Sequence, residues 1–193
     1  MPFPPLKPVI WPECPAGFDP DGLALVLFTL PAGTRRPDAR LLARSVLREL
    51  TGRLLPGAPV ELVEGPHGPQ LSGTDIRISL SYAADKVLIG MSRGRALGVD
   101  IVSVDNFPEA GVLSGLYLPK AASHSILEAE LRDENFALRW AQMEACCKAL
   151  GLPLAEITRE REQAYAGCGL LNCQQINGYR MAVAIIPQYA TQD

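Results

Sequence analysis

The chain has 193 residues, a formal net charge of −3 and a pI near 5.5, enough for one compact domain or two small halves sharing a core, and it lacks the basic balance of a nucleic-acid-binding surface. Its longest nearly apolar run, LALVLFTLPA from Leu23, is far short of the roughly 20 residues that span a membrane. Five cysteines with no C-x-x-C, two of them adjacent (Cys146 and Cys147), and only two histidines argue against a disulfide framework, structural zinc and a histidine-rich metal site.

Residues 1–22 open with MPFPPLKPVIWPECP, a proline-stiffened irregular arm without the basic and apolar regions of a secretory signal. The expected location is therefore the cytoplasm, with no membrane and no nucleic acid as partner. LALVLFTL (23–30) reads as a buried strand. Leu41, Leu42, Val46, Leu47 and Leu50 recur at helical spacing and predict a helix over 35–55, with Asp38 as an N-terminal acid and Gly52 as terminator. PVELVEGPHGPQLSG (59–73) reads as a short strand followed by a Gly/Pro loop. DIRISLSY alternates, and KVLIGMS (86–92) and ALGVDIVSV (96–104) follow as two more strands after polar turns. A loop over 105–123 leads to helical material, SILEAELRDENFALRWAQMEACCKALG. LLNCQQI (170–176) and YRMAVAIIP (179–187) read as strands around Asn177-Gly178, a hairpin-turn pair. Each half is strand, helix, then antiparallel strands. That order predicts an α+β pseudo-dimer, with lobes over 1–94 and 95–193 forming one compact unit around a cleft.

Two stretches carry chemistry. In RWAQMEACCKALG, from Arg139, the residues Trp140, Glu144 and Lys148 stand four apart and share one helix face. Glu before Lys at this spacing is also an ordinary solvated pair. In LGVDIV, Asp100 lies between Val99 and Ile101. It is either the outward residue of a half-exposed strand or a buried acid that needs a partner. Val102 shares its face and is apolar, which favours burial, and Gly98 on that face permits close approach. Paired, Asp100 and Glu144 would form an oxygen-only site suited to Mg²⁺, which keeps several waters and binds substrate phosphates.

Both stretches resemble the two signatures of the 4'-phosphopantetheinyl transferase superfamily, roughly G-[IV]-D-[IV]-E and W-x-x-K-E-[AS]-x-x-K, here GVDIV (98–102) and WAQMEACCK (140–148). ISLSYAADKVLIGMS (78–92) is similar to the family's Ser-His-Ser strand and the strand after it. GPHGPQL (65–71) is similar to its Gly-Lys-Pro loop, and YRMAVAI (179–185) to its C-terminal strand. The length resembles the two-lobed, monomeric surfactin-type members. The resemblance implies Mg²⁺-dependent transfer of the phosphopantetheine arm of coenzyme A onto a serine of an acyl or peptidyl carrier protein. It implies Asp100 and Glu144 as metal ligands, Glu144 also as base, and Lys148 as a catalytic phosphate contact. Ser81 and Tyr82 would meet coenzyme A on the Ser-His-Ser strand. Arg35, first in a set with Arg36, Arg40 and Arg44, sits nearest the family's basic contact to the 3'-phosphate. Trp140 is expected to be a packing anchor.

Four positions depart from the pattern. Val102 replaces the last Glu of the first signature, so a water would fill that coordination place. Tyr82 replaces the histidine and carries no positive charge. Met143 replaces the lysine before Glu144. Gly68 is followed directly by Pro69, so the loop lysine is absent and His67 is the candidate substitute. These departures keep an alternative open: a weak homologue that binds coenzyme A or a carrier protein without efficient transfer.

Overall fold

The protein is a mixed α+β fold, seen in a computed structural model that describes residues 5–19, 21–66, 68–127 and 129–187, and nine strands and five helices form among those described residues. In chain order these are β1 (Val9–Ile10), β2 (Leu23–Thr29), α1 (Arg36–Leu54), β3 (Glu61–Gly65), β4 (Gly68–Ser72), β5 (Ile76–Ala83), β6 (Lys86–Arg93) and β7 (Leu97–Ser103). Then come α2 (Ala110–Tyr117), α3 (Lys120–Leu127), α4 (Arg132–Leu150), α5 (Arg159–Ala166), β8 (Gly169–Leu171) and β9 (Tyr179–Ile185). Among the described residues no helix is long and apolar enough to cross a membrane.

Strand β2 is apolar on both faces because both are covered. Ala24, Val26 and Phe28 pack with Val46, Leu47 and Leu50 of α1, while Leu23, Leu25 and Leu27 pack with Leu97, Val99 and Ile101 of β7. One sheet runs β1-β2-β6-β5 and the other β7-β9-β8. The second sheet lies against the first with Val99, Met181, Val183 and Ile185, and against α4 with Ala182 and Ala184. The order through the molecule is thus helix, sheet, sheet, helix. The edge strands β5 and β7 are stitched by side chains instead of a ladder: Ser79 Oγ accepts from the Val99 amide at 3.0 Å.

Small residues let α4 lie directly on the second sheet. Its Ala141, Ala145 and Ala149 are buried together with Ala182 and Ala184. At Gly98 the approach is closest, for a Cβ there would stand 1.9 Å from the Ala145 carbonyl oxygen and 2.6 Å from the Ala149 nitrogen. The helix ends at Gly151, whose φ of 66° is the left-handed cap conformation.

Several expected boundaries move. Leu41 and Leu42 are exposed (69% and 39%), and α1 instead buries Ala39, Ala43, Val46, Leu47, Leu50 and Leu54, with Gly52 inside the helix. The Gly/Pro stretch after Glu61 is a two-stranded hairpin, β3–β4, with Glu64 opposite Pro69; an edge strand tolerates the proline's missing N–H. The loop expected over 105–123 holds α2 and the first half of α3, which are too short for a clear apolar period. Helix α4 starts at Arg132 because the helical material after residue 125 is two helices. Of the strand expected over 170–176 only Leu170 and Leu171 are strand, in β8, although the Asn177-Gly178 turn forms, with Ile176 bridged to Tyr179. Helix α5 was unexpected, because its sequence REREQAYA has almost no apolar face; Thr158 caps it by accepting from the Arg161 amide.

Gly98→Ala should destabilise the protein by about 3 kcal/mol or more, because backbone on both sides must move apart. Gly115→Ala in α2, where a Cβ meets nothing within 4 Å, should be neutral or stabilise by up to about 1 kcal/mol. Urea denaturation of both variants checks this, and equal effects would mean that the α4–β7 contact is not tight.

Candidate functional site

The alanine row on α4 that seals against the sheet has a neighbouring row, Trp140, Glu144 and Lys148, one residue earlier at each step. These three side chains are half-buried and, with Ser81, Tyr82, Asp100 and Val102, line one cavity of about 640 Å³. They are not a solvated face. Asp100 points from β7 toward α4 and is only 3% exposed. Its Oδ1 accepts two hydrogen bonds, from Lys148 Nζ at 2.6 Å and Ser81 Oγ at 2.6 Å. Lys148 Nζ also donates to the Val99 carbonyl at 3.1 Å. Burial pushes the Asp100 carboxyl up to about 6, with the Glu144 charge adding to the rise and Lys148 and Ser81 opposing it.

Trp140 does more than anchor the helix. Its ring packs near Phe136 and Tyr117, with centroids 5.5 and 5.6 Å away, and its Nε1 donates to Glu144 Oε1 at 2.8 Å. It therefore fixes the carboxylate rotamer. The signal was available in the sequence as the four-residue spacing of Trp140 and Glu144. Ser79, also unremarked in the sequence, holds the β7 backbone beside Asp100.

A second cavity, about 520 Å³, lies on the other side of Tyr82 and Lys148, which line both. Arg40, Arg44, Glu64, Gly68 and Pro69 contribute to its wall. Arg44 Nη1 donates to the Tyr82 hydroxyl at 3.2 Å. Its Nε and Nη2 hold Glu64 in a fork, at 2.7 and 3.0 Å. Burial raises the Tyr82 phenol above its ordinary value, against the pull of Arg44, and Arg44 holds Glu64 below the ordinary carboxylate range.

Of the residues singled out in the sequence, Ser81, Tyr82, Asp100, Glu144 and Lys148 come together. Arg35 does not join them: its side chain is 82% exposed and pairs with Asp38 at 3.3 Å. It is the N-cap residue of α1, with extended backbone (ψ 156°), so its side chain does not follow the helix face. Arg36, the next residue, lines the first cavity instead. Met143 is 3% exposed in the core behind α4 and lines neither cavity. His67 lies outside the described residues. Among the described residues no group of three or more His, Cys, Asp or Glu side chains is arranged to hold a metal ion, so any cation here would rest on two carboxylates and water.

No family model matches the chain, and no curated protein matches it.

The raised Asp100 carboxyl makes a signed prediction. Its folded value, about 6, exceeds the ordinary 3.8, so the folded state holds this proton more tightly than the unfolded chain. That stabilisation is complete below the unfolded value and is lost as pH rises through the folded one. Wild type should lose up to about 3 kcal/mol of unfolding free energy, relative to Asp100→Asn, between about pH 4 and 7.5. Urea titrations of both proteins across that range measure the difference. Parallel pH curves would mean that Lys148 keeps the carboxylate charged throughout.

Proposed function

We propose that the protein moves the 4'-phosphopantetheine arm of coenzyme A onto a serine of an acyl or peptidyl carrier protein, as a two-lobed member of the phosphopantetheinyl transferase superfamily. The observation that carries this reading is the convergence of the two signatures. Lys148 and Asp100, 48 positions apart in sequence, are ion-paired at 2.6 Å in a cavity that Glu144 also lines. Chance resemblance of two short stretches predicts no such meeting.

The donor set suits a hard cation. Asp100 uses Oδ1 for Ser81 and Lys148, and Glu144 uses Oε1 for Trp140; neither Asp100 Oδ2 nor Glu144 Oε2 accepts a hydrogen bond from the described residues. Asp100 Oδ2 and Glu144 Oε2 are thus the atoms that would hold Mg²⁺, and water would serve where Val102 offers no oxygen. Bound there, Mg²⁺ would offset negative charge on the attacked phosphate and on the leaving group.

The chain's own groups have distinct tasks. Glu144 takes the proton of the carrier serine hydroxyl through a water hydrogen-bonded to its carboxylate. Serine oxygen then bonds to the β-phosphorus of coenzyme A as the pyrophosphate bridge breaks, and adenosine 3',5'-bisphosphate leaves. Lys148 has three donors, two of them committed to Asp100 and the Val99 carbonyl, and the third is available to a phosphate oxygen. The Tyr82 hydroxyl accepts from Arg44 and keeps its own proton for a phosphate. Trp140 holds Glu144 in the rotamer that faces the cavity.

A second reading, a homologue that binds coenzyme A without efficient transfer, is favoured by the buried Met143 and the neutral Tyr82. One experiment separates the two. An apo-carrier protein incubated with the protein, coenzyme A and Mg²⁺ should gain the mass of one phosphopantetheine arm. Glu144→Gln should slow that gain about 10²- to 10⁴-fold without unfolding the protein. Coenzyme A binding by calorimetry with no mass gain on any of several carriers would establish the second reading.

A further inference from the structure

The feature that the proposed chemistry does not use is Glu64. Its carboxylate sits on Arg44 in the parallel two-bond geometry that guanidinium groups use for phosphates as well as carboxylates. The partners differ in burial: the Arg44 side chain is 16% exposed in the cavity wall, and Glu64 is 64% exposed. The arginine belongs to the site, and the carboxylate reaches it from outside. Charge is also unbalanced there. Arg40 and Arg48 act on Glu64 electrostatically in addition to Arg44, so three guanidinium charges bear on one carboxylate. Finally, Glu64 is carried by β3–β4, a two-stranded sheet with no ladder to either main sheet. Leu71 anchors this hairpin in the core, but Glu64 itself is solvent-facing, and an ion pair with one exposed partner adds only about 0–1 kcal/mol, so its side chain can leave without moving the strand.

We infer that Arg44 is the anchor of a phosphate-binding site on the second cavity, and that Glu64 is its internal, displaceable stand-in. In the free protein the Glu64 carboxylate satisfies the Arg44 fork. A phosphate or pyrophosphate group of the ligand, with more charge and more acceptor oxygens, takes the fork and releases the exposed Glu64 side chain to solvent. Arg44 keeps its third nitrogen on Tyr82, so the positive charge that Tyr82 lacks is delivered from α1. The identity of the full ligand, coenzyme A, rests on the proposed function; the exchange of carboxylate for phosphate rests on the geometry of Arg44 and Glu64.

Calorimetric titration with two probes, coenzyme A and inorganic pyrophosphate, tests the exchange on the full chain. Glu64→Gln and Glu64→Ala should each bind both probes about two- to fivefold tighter than wild type, the affinity equivalent of losing one exposed competing ion pair. Arg44→Ala should bind about tenfold weaker or worse. In the double variant Arg44→Ala/Glu64→Gln the tightening should vanish, because no fork remains to compete for. Circular dichroism confirms that each variant is folded. Tightening of the same size without Arg44 would overturn the inference, since Glu64 would then act only as a distant repelling charge. Unchanged or weaker binding in both Glu64 variants would overturn it too, making Glu64 a support for Arg44. If pyrophosphate follows the expected pattern and coenzyme A does not bind, the inference stands and the coenzyme A reading falls. Binding of neither probe by any variant rejects the phosphate site.

Discussion

The site exists because α4 rests on β7 with only alanine and glycine between them. Ala141, Ala145 and Ala149 form the seam, and Gly98 removes the one Cβ that would strike the helix backbone. Residues four apart stack along a helix, so fixing the alanine row also fixes the row beside it. That adjacent row is Trp140, Glu144 and Lys148. Lys148 reaches Asp100 because the helix sits this close, and a seam of larger side chains would carry its ammonium out of hydrogen-bond range.

Asp100 bears the cost of that arrangement. A carboxylate between Val99 and Ile101, 3% exposed, loses most of its hydration, and one lysine does not restore it fully. Burial accordingly pushes its carboxyl up to about 6. Buried ion pairs of this kind stabilise a fold less than a well-packed apolar pair would. Ser81 and Lys148 orient the acid, and Ser79 holds the backbone of the residue before it. The seam between β5 and β7 is thus built from polar side chains exactly where a purely structural seam would be apolar, which points to a role for the acid other than holding the sheets together.

Charge is sorted across the wall formed by Tyr82 and Lys148. The first cavity has Asp100 and Glu144 among aromatic rings, with Arg36 as its one arginine among the described residues, and the second has Arg40 and Arg44 with Glu64. A net charge of −3 conceals this local separation. Such a groove suits a ligand with a strongly anionic end and a reacting phosphate near a cation site, the chemistry proposed above. Lys148 belongs to both parts, touching the acid on one side and facing the basic cavity on the other.

Much of this was legible in the sequence. Strands β2, β5, β6, β7 and β9, the body of α1 and most of α4 follow from apolar period and turn residues, because these signals are local. The shared face of Trp140, Glu144 and Lys148 follows from helical geometry, and the burial of Asp100 was suggested by Val102 and Gly98. The short helices α2, α3 and α5 escaped because eight residues hold about two turns, too few to show a face. Arg36 was not distinguishable from Arg35, since which of two adjacent arginines enters the cavity depends on where the helix begins. The pairing of Arg44 with Glu64 and Tyr82, and of Lys148 with Asp100, left no trace in any window of sequence. Composition and periodicity decide which face of an element is buried; only the packing of elements decides which charged groups meet, because that distance is set by the side chains between them and not by their separation along the chain.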